Sequence, residues 1–299
     1  MATLADSAPR VAKESSYSGL VLPISMFGIA ILLFLTLDTK VAAPDFTLSH
    51  FLALGGILFI AGLMSGLCGF GFAAPGALSL FLLPPVTAIP MLQGLSACNQ
   101  MMSISKLHKD MPKTLRQWFP HGPGPVILGG LFGVPVGVWL LNNLPGPTIT
   151  LIIASLIIFY SVYGLFKPTG FKIHAFVGAP SGAAVGALGA VIGGFTAQPG
   201  MAVIVWTGLR DMSKAANRAM VQPFILTMQL VALITNGIQH PANFGARFWI
   251  MLALTVPVVL PGTLTGVWLY HRLSDLDFKR ASYTLLGLGG VALIVRTLS

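Results

Sequence analysis

The sequence predicts an all-α, polytopic membrane protein: two inverted-topology repeats, each a re-entrant broken-helix hairpin plus three transmembrane helices, preceded by one extra N-terminal helix. Three observations carry that prediction. Of 299 residues, 55% are hydrophobic and only 8% charged, against about 25% charged in a soluble domain. Apolar runs of spanning length recur along the chain, and two of them end in Gly- and Pro-rich breaks followed by a short apolar piece. Lysines and arginines gather on alternate loops.

The elements follow in order. Residues 1–49 hold a polar stretch of 19 residues and the apolar run 20–37. That run lacks a small-residue cleavage site, so it reads as a retained helix rather than a removed signal peptide. The first repeat, 50–166, starts with 50–68 and the short piece 76–83, joined across "GLCGFGFAAPGALSLF" (Gly66–Phe81), and continues with 86–106, 124–142 and 148–166. The second, 174–298, starts with 174–193 and 199–208, joined across "GAVIGGFTAQPGMAVIV" (Gly189–Val205), and continues with 213–238, 246–270 and 279–298. A helix needs about 20 residues to cross the hydrocarbon. The pieces 76–83 and 199–208 are too short, so each pair is read as a hairpin that enters and returns on one side.

The cations test that reading. With two hairpins, fourteen of the seventeen Lys and Arg fall on one side: Arg10, Lys13, Lys106, Lys109, Lys113, Arg116, Lys167, Lys172, Arg210, Lys214, Arg218, Arg272, Lys279 and Arg280. Lys40, Arg247 and Arg296 fall on the other. The bias assigns the fourteen, and the N-terminus, to the cytoplasm. The same placement explains the net charge of +9 as topology-setting rather than nucleic-acid-binding. The two halves then enter from opposite sides. "AAPG" (Ala73–Gly76) pairs with "AQPG" (Ala197–Gly200), and "GVWL" (Gly137–Leu140) with "GVWL" (Gly266–Leu269).

The breaks carry the functional expectation. Gly69, Gly71, Pro75 and Gly76 pair with Gly193, Gly194, Pro199 and Gly200. Glycine frees the backbone, and proline suits the first position of a helix, where its missing N–H costs nothing. Short helices would start at Pro75 and Pro199, leaving N–H groups free around Gly76–Leu78 and Gly200–Ala202. Two converging helix N-termini attract an anion without a charged side chain. The alternative is that these glycines only permit close helix packing. That alternative is preferred for Gly129, Gly133 and Gly137 and for Gly178, Gly182 and Gly186, which recur every four residues.

Polar stripes mark the helix after each hairpin. Gln93, Ser96, Gln100 and Ser103 fall within about 80° on 86–106, and Arg218, Gln222, Gln229 and Asn236 within about 40° on 213–238, at 100° per residue. Such stripes face a wet cavity or make interhelical hydrogen bonds. Arg218 either pairs with an anion or snorkels to the surface. Candidate substrate-binding residues are Gly71, Phe72, Ala74, Pro75, Gly76, Gln93, Gln100, Gly194, Phe195, Thr196, Gln198, Pro199, Gly200, Arg218 and Gln222. Phe70, Phe72 and Phe195 suggest an apolar wall and hence an organic anion.

Other classes are disfavoured. None of the eight acidic residues lies mid-segment, and the six histidines sit near segment ends. That argues against a carboxylate proton relay and a catalytic carboxylate pair. No GK[ST] loop appears, so ATP is not the expected energy source. Cys68 and Cys98 lack partners at metal-ligand spacing and read as small buried hydrophobes. No cofactor or metal is expected.

These residues resemble the sulfite exporter TauE/SafE family. The resemblance rests on "GLCGFGFAAPGAL" and "GAVIGGFTAQPGM", and on the later "GVPVGVWL" and "GTLTGVWL". It covers about 50–298. Cys68, Phe70 and Phe72 depart from the family pattern, interrupting what is often a glycine run. The resemblance implies a bacterial inner-membrane carrier for a small anion: sulfite, a sulfonate or a related organosulfur compound. Membrane lipid and the anion are the expected partners. A coupling cation and a homodimer stay open. An anion channel is the runner-up, and a membrane enzyme or assembly factor, with Cys68 as its sole candidate nucleophile, comes third.

Overall fold

The computed structural model describes residues 47–68, 71–106, 114–119, 122–166, 178–210, 212–270 and 275–299. It also describes Ser25, Met26, Gly28, Ile29, Leu32 and Thr36, all helical, so the extra N-terminal segment is described at these positions only. The rest of 1–46, residues Gly69 and Phe70, and the side chains of Cys68 and most of the loop cations lie outside the described residues.

The described chain is helical and has no strand. In order, the helices are α1 (Leu48–Cys68), α2 (Ala73–Gly76, continued as a 3₁₀ turn over Ala77–Phe81), α3 (Pro85–Lys106), α4 (Leu115–Trp118), α5 (Pro123–Asn143), α6 (Gly146–Phe166), α7 (Ala179–Thr196), α8 (Gly200–Leu209), α9 (Lys214–Gln239), α10 (Ala246–Tyr270) and α11 (Asp275–Leu298). Six of them, α1, α5, α6, α7, α9 and α10, are long and apolar enough to cross a membrane. The protein is a multi-pass membrane protein. The short pieces expected at 76–83 and 199–208 are α2 with its 3₁₀ turn and the ten-residue α8.

In lipid, association between helices comes from close packing rather than from expelling water. Small residues therefore decide which helices touch. α5 and α7 lie side by side and run the same way. A methyl group at Gly129 would meet Ala183, at Gly133 Ala187, and at Gly137 Val191 and Gly194. α1 and α10 do the same: Gly62 faces Val259 and Thr263, and Gly66 faces Thr263, Gly266 and Val267. α6 and α11 run in opposite directions, with Gly164 against Tyr283, Gly287 against Ser161 and Gly290 against Ile158. α9 runs with α5, since Gly130 meets Phe224 and Met228 while Asn142 bonds Asn236. α3 runs with α10, since Gly94 meets Phe248 and Leu252 while Thr263 bonds Asn99.

Buried polar bonds pin these contacts. Asn99 donates to Ser65 Oγ at 2.5 Å and accepts from Thr263 Oγ1 at 2.7 Å, which ties α1, α3 and α10 together. Asn142, Asn236 and Asn243 form the corresponding clamp between α5, α9 and the turn after α9. The largest core cluster sits where α1, α2, α3 and α6 meet Phe195, Ala197 and Met201. Phe132, Trp139, Phe159, Leu188, Ile234 and Trp249 are exposed on the outer faces, as suits a lipid solvent.

Candidate functional site

Each break has its own backbone solution. In the first, Gly71 adopts φ +112°, a conformation that L side chains rarely take. The chain then turns helical at Ala73, two residues before the expected start at Pro75. Gly76 N–H donates to Phe72 O at 3.1 Å, so the free N–H groups expected around Gly76–Leu78 are displaced. Those of Ala73 and Ala74 take their place, with no partner among the described residues. Proline lacks a donor and is tolerated anywhere in the first helical turn, which is why Pro75 fits its third position as well as its first.

In the second break, α7 ends on Ala197 in the left-handed conformation, φ 60°, ψ 19°. Ala197 N–H donates to Gly193 O at 2.9 Å, the bond of an αL helix end. An alanine there costs on the order of 1 kcal/mol. Pro199 caps α8 and Gly200 opens it. Met201 N–H turns back to Gln198 O at 3.3 Å, while Gly200 and Ala202 N–H have no backbone partner among the described residues. The second half therefore frees N–H groups within the expected interval, with one of them occupied.

The polar stripes reach across to brace this break. Gln93 of α3 donates its Nε2 to Gly193 O at 3.3 Å and Gly194 O at 3.2 Å. Gln229 of α9 donates its Nε2 to Ala197 O at 2.9 Å. The end of α7 would otherwise leave Gly194 O and Ala197 O bare, whereas Gly193 O also accepts from Ala197 N–H. Thr196 Oγ1 bonds Ile192 O at 2.7 Å and accepts from Gln198 N–H at 3.2 Å. Gln93→Leu should leave one buried carbonyl, Gly194 O, without a partner, since Gly193 O keeps its bond from Ala197 N–H, at about 1–3 kcal/mol. We expect thermal unfolding in detergent to drop by several degrees, and an unchanged midpoint would show that the bond does not brace the break.

The two breaks meet at one cavity. It holds about 400 Å³ of space not filled by atoms, including its open mouth. Gly71, Phe72, Ala73 and Ala74 line it from the first break, and Ala197, Gln198, Pro199, Gly200 and Met201 from the second. Ser96 and Gln100 of α3, Tyr160 of α6, Ile204 of α8, and Ile225 and Gln229 of α9 complete the wall. None of these carries a carboxylate or a cation. A smaller cavity of about 270 Å³ shares Gly71, Ala74 and Tyr160 with it and adds Met64, Pro75, Tyr283 and Leu286.

Of the fifteen candidate residues, Gly71, Phe72, Ala74, Gln100, Gln198, Pro199 and Gly200 line the main cavity and Pro75 lines the smaller one. Gly76, Gln93, Gly194, Phe195, Thr196, Arg218 and Gln222 line neither. Gly76 is packed instead, since a Cβ there would lie 2.8 Å from Leu92. At Gly194 it would lie 2.7 Å from the Cα of Gly137. Close packing is what these two glycines permit. Phe72 and Phe195 both belong to the core cluster, but only Phe72 of the two lines the main cavity, and Phe70 lies outside the described residues. Ser96 and Gln229 stood on the polar stripes but outside the candidate set. Tyr160, an aromatic in an otherwise apolar helix, gave no signal in sequence; it packs edge-on against Tyr283 with centroids 5.7 Å apart.

One further pattern emerges from the alignment of α3 and α9. Gln93 and Gln100 are seven residues apart, and so are Gln222 and Gln229, at the offset that separates the two "GVWL" stretches. Among the described residues, no group of three His, Cys, Asp or Glu could hold a metal ion.

No curated protein and no solved structure matches the chain. The family model described as Sulfite exporter TauE/SafE matches residues 52–293, which takes in both breaks, both polar helices and every residue lining the cavity. The chain belongs to the sulfite exporter TauE/SafE family of membrane transporters.

Proposed function

We propose that this protein carries a small sulfur oxyanion, sulfite or an organosulfonate, across the bacterial inner membrane by alternating access, with the cavity between the breaks as its binding site. One observation carries the reading: a single cavity receives both breaks and both polar helices. The wall supplies N–H groups at Ala73, Ala74 and Gly200 that have no backbone partner among the described residues, and among those residues it carries no charged side chain, which suits an anion that must be released as well as bound. Phe72, Met201, Ile204 and Ile225 offer an apolar side to an organic group.

Helix directions support an inverted repeat. α1, α3, α6 and α10 share one direction, and α5, α7, α9 and α11 the other. The sequence of directions in 50–166 is therefore reversed in 174–298. Pairings follow the same exchange, α1 with α10 corresponding to α7 with α5. α1 and α3 run alike only if the chain returns between them, which supports a re-entrant hairpin at α2 and, by the same reasoning, at α8. Such a plan puts the site between repeats and lets one rock against the other. The cation bias supports a cytoplasmic N-terminus.

The test is a thermal-shift screen of the purified protein against sulfite, sulfate, taurine, isethionate, sulfoacetate and simple carboxylates. We expect one sulfur oxyanion to stabilise saturably, by about 2.7 kcal/mol at a hundred times its Kd. Stabilisation by carboxylates alone would overturn the substrate class. Flux of the stabilising anion in proteoliposomes then separates a carrier, which saturates at carrier rates, from a channel.

A further inference from the structure

The cavity that binds the anion also presents oxygens, and those oxygens ask for a positive partner. Gln229 is 1% exposed and its amide orientation is fixed: Nε2 donates to Ala197 O at 2.9 Å. Flipping that amide would set two acceptors against each other. Its Oε1 is buried and has no protein partner among the described residues. Gln100, also 1% exposed, holds its Oε1 in the same condition. Gln198, 5% exposed, has no partner at either amide atom. All three line the same cavity, and Ser96 adds a hydroxyl beside them.

A buried acceptor without a partner costs about 1–3 kcal/mol, so three at one cavity are not explained by packing. An anion does not satisfy them. Its own oxygens are acceptors, and it needs the N–H groups of the helix starts. The two sets are complementary: donors at Ala73, Ala74 and Gly200, acceptors at Gln100, Gln198 and Gln229.

We propose that the cavity takes an alkali cation beside the anion, held by the amide oxygens of Gln100, Gln198 and Gln229. Neutral oxygen ligands suit hard cations. Among the described residues no carboxylate lines the wall, so the compensating charge comes from the bound anion, and a monovalent ion matches it. Each ligand then raises the affinity for the other by the same factor. A charge-neutral pair also enters the hydrocarbon region at lower cost than either ion alone. The coupling rests on the anion site proposed above; the oxygen site itself does not.

The experiment uses the full-length purified protein in detergent. Thermal unfolding is followed in NaCl, KCl and N-methyl-D-glucamine chloride at equal ionic strength and equal chloride, each with and without sulfite. We expect one alkali salt to raise the midpoint saturably without sulfite, and the apparent affinity for sulfite to rise at least tenfold in that salt. Gln100→Leu should remove the cation effect. Gln100→Glu should strengthen cation binding and weaken sulfite binding, a reversal that a purely structural glutamine would not produce. Gln229→Leu is less clean, because it also strips Ala197 O of its donor. Equal midpoints in all three salts, with and without sulfite, would overturn the proposal, as would a salt effect that Gln100→Leu leaves intact. The acceptors would then belong to water or to a donor on the substrate. If sulfite stabilises equally in N-methyl-D-glucamine chloride and no alkali salt raises the midpoint by itself, the cation site falls and the anion site stands. If an alkali salt stabilises while no anion does, the anion site falls and the cation site stands.

Discussion

Gly129→Leu is expected to yield no monodisperse protein after detergent extraction. A Cβ at this position would lie 1.9 Å from Ala183 O, 2.6 Å from its carbonyl carbon and 2.7 Å from its Cα. All three are backbone atoms of α7, so no rotamer can make room. α5 and α7 would have to separate along a seam that Gly133 and Gly137 continue, against Ala187, Val191 and Gly194. Overpacking a core costs about 1–3 kcal/mol even where side chains can adjust; a backbone collision exceeds that range. Gly56→Leu provides the control, because nothing lies within 4 Å of a Cβ there. It should unfold within a degree or two of the parent. Size-exclusion profiles and unfolding midpoints decide the matter, and a Gly129→Leu protein as stable as the Gly56→Leu one would refute the close α5–α7 seam.

Ala74→Phe is expected to reduce sulfite uptake in proteoliposomes at least 100-fold, about 2.7 kcal/mol in binding or barrier terms, while the protein still extracts as a single species. Ala74 is 5% exposed and lines both cavities. A ring at that position fills the space where the break's own N–H groups would meet the substrate. Ala74→Ser adds one oxygen and should keep most of the activity. Uptake by Ala74→Phe at parental rates would show that the path runs elsewhere.

The sequence carried the helices well because length and hydropathy suffice in lipid, where every backbone polar group must be satisfied within the segment. The short pieces were legible for the same reason: α8 has ten residues and cannot span. The site was read less evenly. Gly71 and Gly200 line the cavity, but Gly76 and Gly194 serve close approach. Glycine answers both demands, and only the neighbouring atoms distinguish them. Gln93 and Gln100 share one helix face, yet one braces the end of α7 and the other lines the cavity. The difference lies in which depth each meets, and depth depends on how α3 is set against α7. Pro75 marked the first half-helix to within two residues; the shift came from the Gly76–Phe72 bond, which no residue type announces. Tyr160 joins the wall from a helix more than 80 residues along the chain from Phe72, a distance over which pattern reading has no reach.

The pairing of α1 with α10 has a consequence for how the protein is made. Gly62 and Gly66 meet their partners only at Val259–Val267, some 200 residues later in the chain. At about 5–20 residues per second of synthesis, α1 waits about 10–40 seconds before the surface that covers it exists. During that interval its glycine face is exposed to lipid or to the insertion machinery. The N-terminal half is therefore not a finished unit that a second half joins. Residues 50–166 alone lack α10, which packs on α1, and residues 174–298 alone lack α5, which packs on α7, so the two pieces should be recovered as stable protein only when produced together.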